Sequence, residues 1–158
     1  MNVTTFIKGT KGNAEKVSKH ITKQYIPILE KDVYMTKIAD AGMHTQNDGR
    51  TFFKKNTVTI YVAFIMRLID MYTDIDVKWD DAEFVKEYDA LAESGLLDIV
   101  LDSIPDREYK ECKTILDMKV DDTIINEYST PAVLYNLLES SSLFSEMLTS
   151  VIKEQIQQ

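Results

Sequence analysis

Residues 58–72 read VTIYVAFIMRLIDMY, and only Thr59, Arg67 and Asp70 among these fifteen are plainly polar. No other stretch of the 158-residue chain is as apolar. Its front end, Thr57 to Val62, is rich in β-branched and aromatic residues, which suits a strand. The run is longer than an ordinary strand, however, and Asn56 or Thr57 stands where a helix cap belongs. A helix apolar on every side is a buried one. The stretch therefore predicts a central buried helix over about 58–72, with strand left open for 58–62. It falls short of the roughly 18–20 residues of a spanning helix and carries Arg67 and Asp70, so no membrane span is expected.

On the N-terminal side, Asn2 or Thr4 is placed to cap a short turn through Phe6 and Ile7 that Gly9 ends. The loop GTKGN at 9–13 lacks the spacing of a phosphate-cradling loop and reads as a plain turn. Asn13 can cap a helix to about Gln24, with Ala14, Val17 and Ile21 on one side and Lys16, Lys19, His20 and Lys23 on the other. Pro27 favours a helix start. A helix over about 28–41 follows, with Ile28, Leu29, Val33, Met35, Ile38 and Ala39 as its apolar positions and Gly42 as its stop. Asp48-Gly49 is a turn signal and predicts a small β-hairpin within 44–55, leaning on the helices.

On the C-terminal side, the connector TDIDVKWDD at 73–81 reads as a solvated acidic loop. Asp80 or Asp81 can cap a helix carrying Phe84, Val85, Tyr88 and Leu91, which Gly95 ends. Leu96 to Leu101 form a second short helix up to Ser103. Pro105 opens the longest periodic run, through Tyr109, Cys112, Leu116, Val120, Thr123 or Ile124, and Tyr128. Ile115, Met118 and Ile125 widen this stripe, and Asp106 and Glu108 suit its first turn. Ser129 or Thr130 caps a further helix at Pro131, with apolar pairs at Val133/Leu134 and Leu137/Leu138. The phase slips across Ser140-Ser141-Ser142, and the pairs resume at Leu143/Phe144, Met147/Leu148 and Val151/Ile152. A break or kink is expected there. The stretch 143–158 then becomes a detachable C-terminal helix, and those six residues are the expected protein-binding face.

The expected architecture is one all-α domain, 1–158: a compact multi-helix body around 58–72. A single cysteine, Cys112, excludes an internal disulfide and suits a reducing compartment. The opening MNVTTFIKGTKG has no apolar core long enough for a signal peptide. Net charge is −8, but residues 1–55 hold ten Lys or Arg against five Asp or Glu, whereas 56–158 hold eight against twenty-one. Opposed ends of this kind favour head-to-tail self-association. Lys16, Lys19 and Lys23 with Asp74, Asp76, Asp80 and Asp81 are the residues expected to carry it.

Little chemistry is visible. His20 and His44 lie far apart and near no carboxylate cluster in the sequence. Cys112 falls on an apolar stripe and reads as a packing thiol. Asp74 and Asp76 supply only the first two positions of a calcium loop, with Lys78 and Trp79 where Asp and Gly are wanted. No zinc, dinucleotide or P-loop pattern is present. No catalytic residue, metal or cofactor is therefore expected. The acidic balance disfavours nucleic acid as a partner. It permits the converse, an acidic surface that imitates the phosphate track and occupies a host nuclease.

Phe6-Ile7-Lys8-Gly9, the run Ala14 to Lys23, Tyr72-Thr73-Asp74-Ile75, Asp89-Ala90-Leu91 with Gly95-Leu96, and Ile104-Pro105 with Glu108-Tyr109 are similar to small proteins of phages and prophages of Gram-positive bacteria. The likeness covers roughly 6–128. A small, acidic, helical protein of this kind resembles the tail assembly chaperones of long-tailed phages. That resemblance implies a non-enzymatic, self-assembling protein of the host cytoplasm that binds the hydrophobic, helical tape measure protein. It implies no particular site residue. The alternative expectation is a phage-encoded anti-defence inhibitor acting through the acidic half.

Overall fold

A computed structural model describes residues 1–47, 50–53, 55–80 and 83–128, together with 131, 133–134, 137–138 and 141. The apolar stretch is a helix along its whole length, α4 (Thr57–Tyr72), and strand is excluded for 58–62. The Asn56 side chain caps it, accepting from the Thr59 N–H at 3.1 Å. At the other end the Thr73 hydroxyl donates to the Ile69 carbonyl at 2.6 Å and accepts from the Ile75 N–H at 3.0 Å. Ten of the sixteen residues of α4 are buried. The chain is mostly helical, as expected.

Contacts divide the chain into two compact units, Met1–Lys119 and Val120–Gln158. In the first, α1 (Val3–Thr10), α2 (Ala14–Ser18), α3 (Ile28–Met43), α5 (Glu83–Glu93) and α6 (Leu96–Ser103) gather about α4. Helix α3 packs along α4, which also meets α5 and α6; α1 lies on α5, and α2 on α6. Helix α7 (Asp106–Tyr128) reaches α4 through Tyr109, edge-on to Phe64 at 5.6 Å. Strands β1 (His44–Asn47) and β2 (Arg50–Phe53) form the expected antiparallel hairpin, pairing His44 with Phe53 and Asn47 with Arg50. Positions 48 and 49 lie outside the described residues.

Several boundaries differ from the sequence reading, most of them for a tertiary reason. Helix α1 runs past Gly9 to Thr10 and ends where Lys11 and Gly12 turn left-handed. Helix α2 stops at Ser18, not near Gln24. Beyond it the Thr22 and Lys23 N–H groups donate to the Tyr72 carbonyl at 2.9 and 3.3 Å, and Ile21 bridges Thr73. The open C-terminal carbonyls of α4 thus draw this segment out of helix. Gly42 does not end α3. It lies within the helix, where a Cβ would stand 2.0 Å from Ile60 Cγ1, so its role is close approach to α4. The connector after α4 is not a solvated loop either: Ile75 and Val77 are buried, and the Asp76 N–H donates to the Met1 carbonyl at 2.7 Å.

Not every apolar position points inward. Leu29 and Val33 on α3 and Met118 and Ile125 on α7 are exposed. In the second unit, helical backbone is described at 131, 133–134, 137–138 and 141, and Val133, Leu134, Leu137 and Leu138 are all exposed. Ser140 and Ser142, the expected break, and the expected helix 143–158 lie outside the described residues. Among the described residues no helix is long and apolar enough to cross a membrane.

Candidate functional site

Two oppositely charged side chains lie on apolar stripes of the first unit. Lys31 shares the buried line of α3 with Met35, Ile38 and Gly42, and Glu108 that of α7 with Cys112 and Leu116. Steps of three or four residues put each set on one side of its helix. Lys31 Nζ lies 2.8 Å from Glu108 Oε2 and is bonded closely to Glu111 as well. The same Glu108 oxygen accepts from Tyr72 Oη at 2.8 Å and from the Ile26 N–H at 3.0 Å. Tyr72 Oη is also 3.8 Å from Cys112 Sγ. Lys31, Tyr72 and Cys112 are fully buried, and Glu108 is 3% exposed.

Burial opposes the Lys31 charge, but its bonds to Glu108 and Glu111 outweigh burial and its pKa is raised. Burial likewise opposes the Glu108 charge; the bonds from Lys31, Tyr72 and the Ile26 N–H outweigh it, and the pKa is lowered. Burial raises the Tyr72 phenol, and its bond to Glu108 raises it further. Burial above all raises the Cys112 thiol. Four chemically capable groups are thus held in fixed protonation states and sealed from any substrate. They clamp α3, α4 and α7 together. Iodoacetamide should therefore modify Cys112 in the native protein more than about 100-fold more slowly than in denaturant, as followed by mass spectrometry. Comparable rates would show an open thiol.

The structure places the other charged candidates as follows. His20 does meet a carboxylate: its Nδ1 is 3.0 Å from Asp74 Oδ1, and its ring stands edge-on to Phe6. The Asp74 N–H donates to the His20 carbonyl at 3.1 Å. The basic segment that includes Lys23 and the acidic connector are therefore neighbours within one chain. Lys16 donates to the Gly9 carbonyl at 3.3 Å, Lys23 reaches Glu30 at 4.0 Å, and Lys19 is exposed. Asp80 caps α5, accepting from the Glu83 N–H at 2.9 Å. Asp76 is exposed, and Asp81 lies outside the described residues. Leu143, Phe144, Met147, Leu148, Val151 and Ile152 lie outside them too.

Described residues of the first unit line two clefts. One, of about 370 Å³, is lined by Asp98, Leu101, Asp102, Ile104, Asp106 and Tyr109. Its carboxylates do not converge: among the described residues no group of three His, Cys, Asp or Glu could hold a metal ion. The other, of about 210 Å³, lies between α3, α4 and the start of α5, with Ile38, Ala63 and Phe84 in its apolar lining. Its polar corner is Arg67, which packs 3.7 Å from the Trp79 ring and 4.7 Å from the Tyr34 ring and bonds Asp70 at 2.6 Å. Burial lowers the Arg67 pKa against the opposing pull of Asp70, and the guanidinium stays charged. Trp79 stacks on Phe84 and remains 37% exposed.

Sequence reasoning missed this cleft. Its signal was the one cation inside the most apolar helix, with Thr59 and Ala63 at four-residue steps before it on the same side. It also grouped Leu29 and Val33 with Met35 and Ile38 as apolar positions of α3, although they fall opposite the Lys31–Met35–Ile38 line. Leu29 is 77% and Val33 50% exposed, and Tyr25 and Ile28 beside them are also open. No family model matches the chain, and no curated protein or solved structure matches it.

Proposed function

We propose that this chain is a non-enzymatic phage morphogenesis protein, a tail assembly chaperone that keeps the hydrophobic, helical tape measure protein soluble in the host cytoplasm and works as a homo-oligomer. The observation that supports this reading most is the outward apolar face of α3. Leu29 and Val33 stand one turn apart on a helix whose other side is locked into the core, with Tyr25 and Ile28 at its entrance. Exposed apolar residues grouped in this way mark a surface for a partner. The high net negative charge helps to keep such a complex in solution. The reading as an acidic mimic of nucleic acid gains less, because Asp74 is engaged by His20 and Asp80 by the start of α5.

The test is co-expression with a tape measure protein, comparing the wild type with a Leu29→Glu/Val33→Glu variant. The wild type should sediment as an oligomer and keep the partner soluble. The variant should lose roughly tenfold or more of the soluble partner, since two charges then meet an apolar helix. Its own melting temperature should move by less than about 2 °C, because both side chains are already in water. A wild type that leaves the tape measure protein insoluble would overturn the reading.

A further inference from the structure

We infer that the Arg67–Trp79 cleft is an anchor site for an amphipathic helix of the partner protein, one that presents a large apolar side chain beside an Asp or Glu. This rests on the reading of the chain as a protein that covers a helical partner, and it specifies that partner's chemistry at one point. Size is the first reason. At about 210 Å³ the cleft is smaller than the roughly 300–1,000 Å³ of small-molecule and cofactor sites, so it suits one inserted side chain better. The lining is the second. Ile38, Ala41, Ala63 and Phe84 give an apolar floor, and Trp79, held by Arg67 and Phe84 but still 37% exposed, adds an apolar rim for an inserted side chain to pack against.

Charge is the third reason, and it decides what lies beside the anchor. The cleft holds two cations, Lys37 and Arg67. Arg67 has Asp70 as its carboxylate partner. Among the described residues no carboxylate pairs with Lys37, whose Nζ lies 5.8 Å from the Tyr34 ring centre. Among the described lining residues and their carboxylate partners the cleft therefore keeps a net positive charge, on a chain of net charge −8. An acidic residue on the incoming helix would complete it, and a basic one would be repelled. Position is the fourth. Leu29, Val33 and Lys37 follow one another at four-residue steps along α3, so the exposed apolar face leads to the rim of the cleft.

Trp79 is the chain's one tryptophan, so its fluorescence reports on the cleft directly. The probes are two synthetic amphipathic peptides of about 20 residues, long enough to hold helix. Both carry Leu and Phe at four-residue spacing; one is flanked by Glu and its twin by Lys. The full chain should respond saturably to the Glu peptide, about five- to tenfold more tightly than to the Lys peptide, and less so at high salt. Lys37→Glu, at an exposed position, should reverse that order without unfolding the chain. Equal response to both peptides, no response to either, or a saturable response to phenylacetate alone would each overturn the inference. The last would make the cleft a small-molecule site. If the peptides fail while the intact chain still keeps tape measure protein soluble, the cleft is wrong and the functional reading stands. If the Glu peptide binds and the tape measure protein stays insoluble, the cleft stands and the functional reading falls.

Discussion

Glu108→Ala should lower the unfolding free energy by about 3–5 kcal/mol, the usual consequence of leaving one member of a buried ion pair without its partner. One oxygen of this carboxylate receives three donors: Lys31, Tyr72 and the Ile26 N–H. Removing it strands the Tyr72 hydroxyl and the Ile26 N–H in the interior and leaves Glu111, at the edge of the pair and one-third exposed, as the lone counter-charge of buried Lys31. For a chain of this size the loss corresponds to a fall in melting temperature of roughly 6–20 °C. Tyr72→Phe removes one donor and leaves the ion pair, so it should cost only about 1–2 kcal/mol. Urea unfolding followed by circular dichroism would measure both. A loss below about 1 kcal/mol for Glu108→Ala would mean that the pair behaves as a solvated surface bridge.

The pH dependence follows from the directions of the two shifts. Glu108 titrates lower in the folded chain than in the unfolded one. Its contribution is therefore full above the unfolded value near 4.5 and is lost as pH falls through the lower folded value. Lys31 titrates higher when folded, so its contribution is full below 10.5 and is lost as pH rises through the folded value. Between those limits the difference between wild type and Glu108→Ala should stay level, and it should shrink on either side.

This clamp also marks the limit of what the sequence discloses. The stripe Cys112, Leu116, Val120 was legible from its spacing, and one turn further back along the same line stands Glu108. A carboxylate in the first turn of a helix already has a reason to be there, so its burial gave no separate signal. Only the fold reveals that Lys31 holds the equivalent line of α3 and faces it. The central helix was legible because three local features agree: its length, its apolarity on all sides and its Asn56 cap. Where local and tertiary demands compete, the tertiary ones decided the outcome. The periodic 14–24 segment gave up half its helix to the carbonyl of Tyr72. The connector 73–77 traded solvent for contacts with Met1 and Asn2, which Asp76 meets from the far side of α4 in sequence. The cleft around Arg67 draws on α3, α4, Trp79 and α5, and no sequence window contains it.

Gly42 is the sharpest case of this competition, and Gly42→Ala should destabilise the chain by about 1–3 kcal/mol despite improving the helix. In an open helix the same change would help by roughly 1 kcal/mol, since alanine restricts the unfolded chain and glycine does not. Here the new methyl would sit 2.0 Å from Ile60 Cγ1 and 2.9 Å from Cδ1. The nearer atom is bonded to the branched Cβ of a buried side chain on α4, so it cannot swing aside and the two helices must part. Parting them would also strain the bond from the Asn56 N–H to the Gly42 carbonyl, 2.8 Å long, which seats the start of α4 against α3. Ile60→Ala removes both crowded atoms and leaves Cβ at 3.4 Å, an ordinary contact. Alone it should cost about 2–5 kcal/mol by opening a cavity. Combined with Gly42→Ala it should cost about 1–3 kcal/mol less than the sum of the two, because the second methyl enters the space the first change vacates. Additivity within about 0.5 kcal/mol would mean that the helices do not meet at Gly42 and that the glycine ends α3 after all.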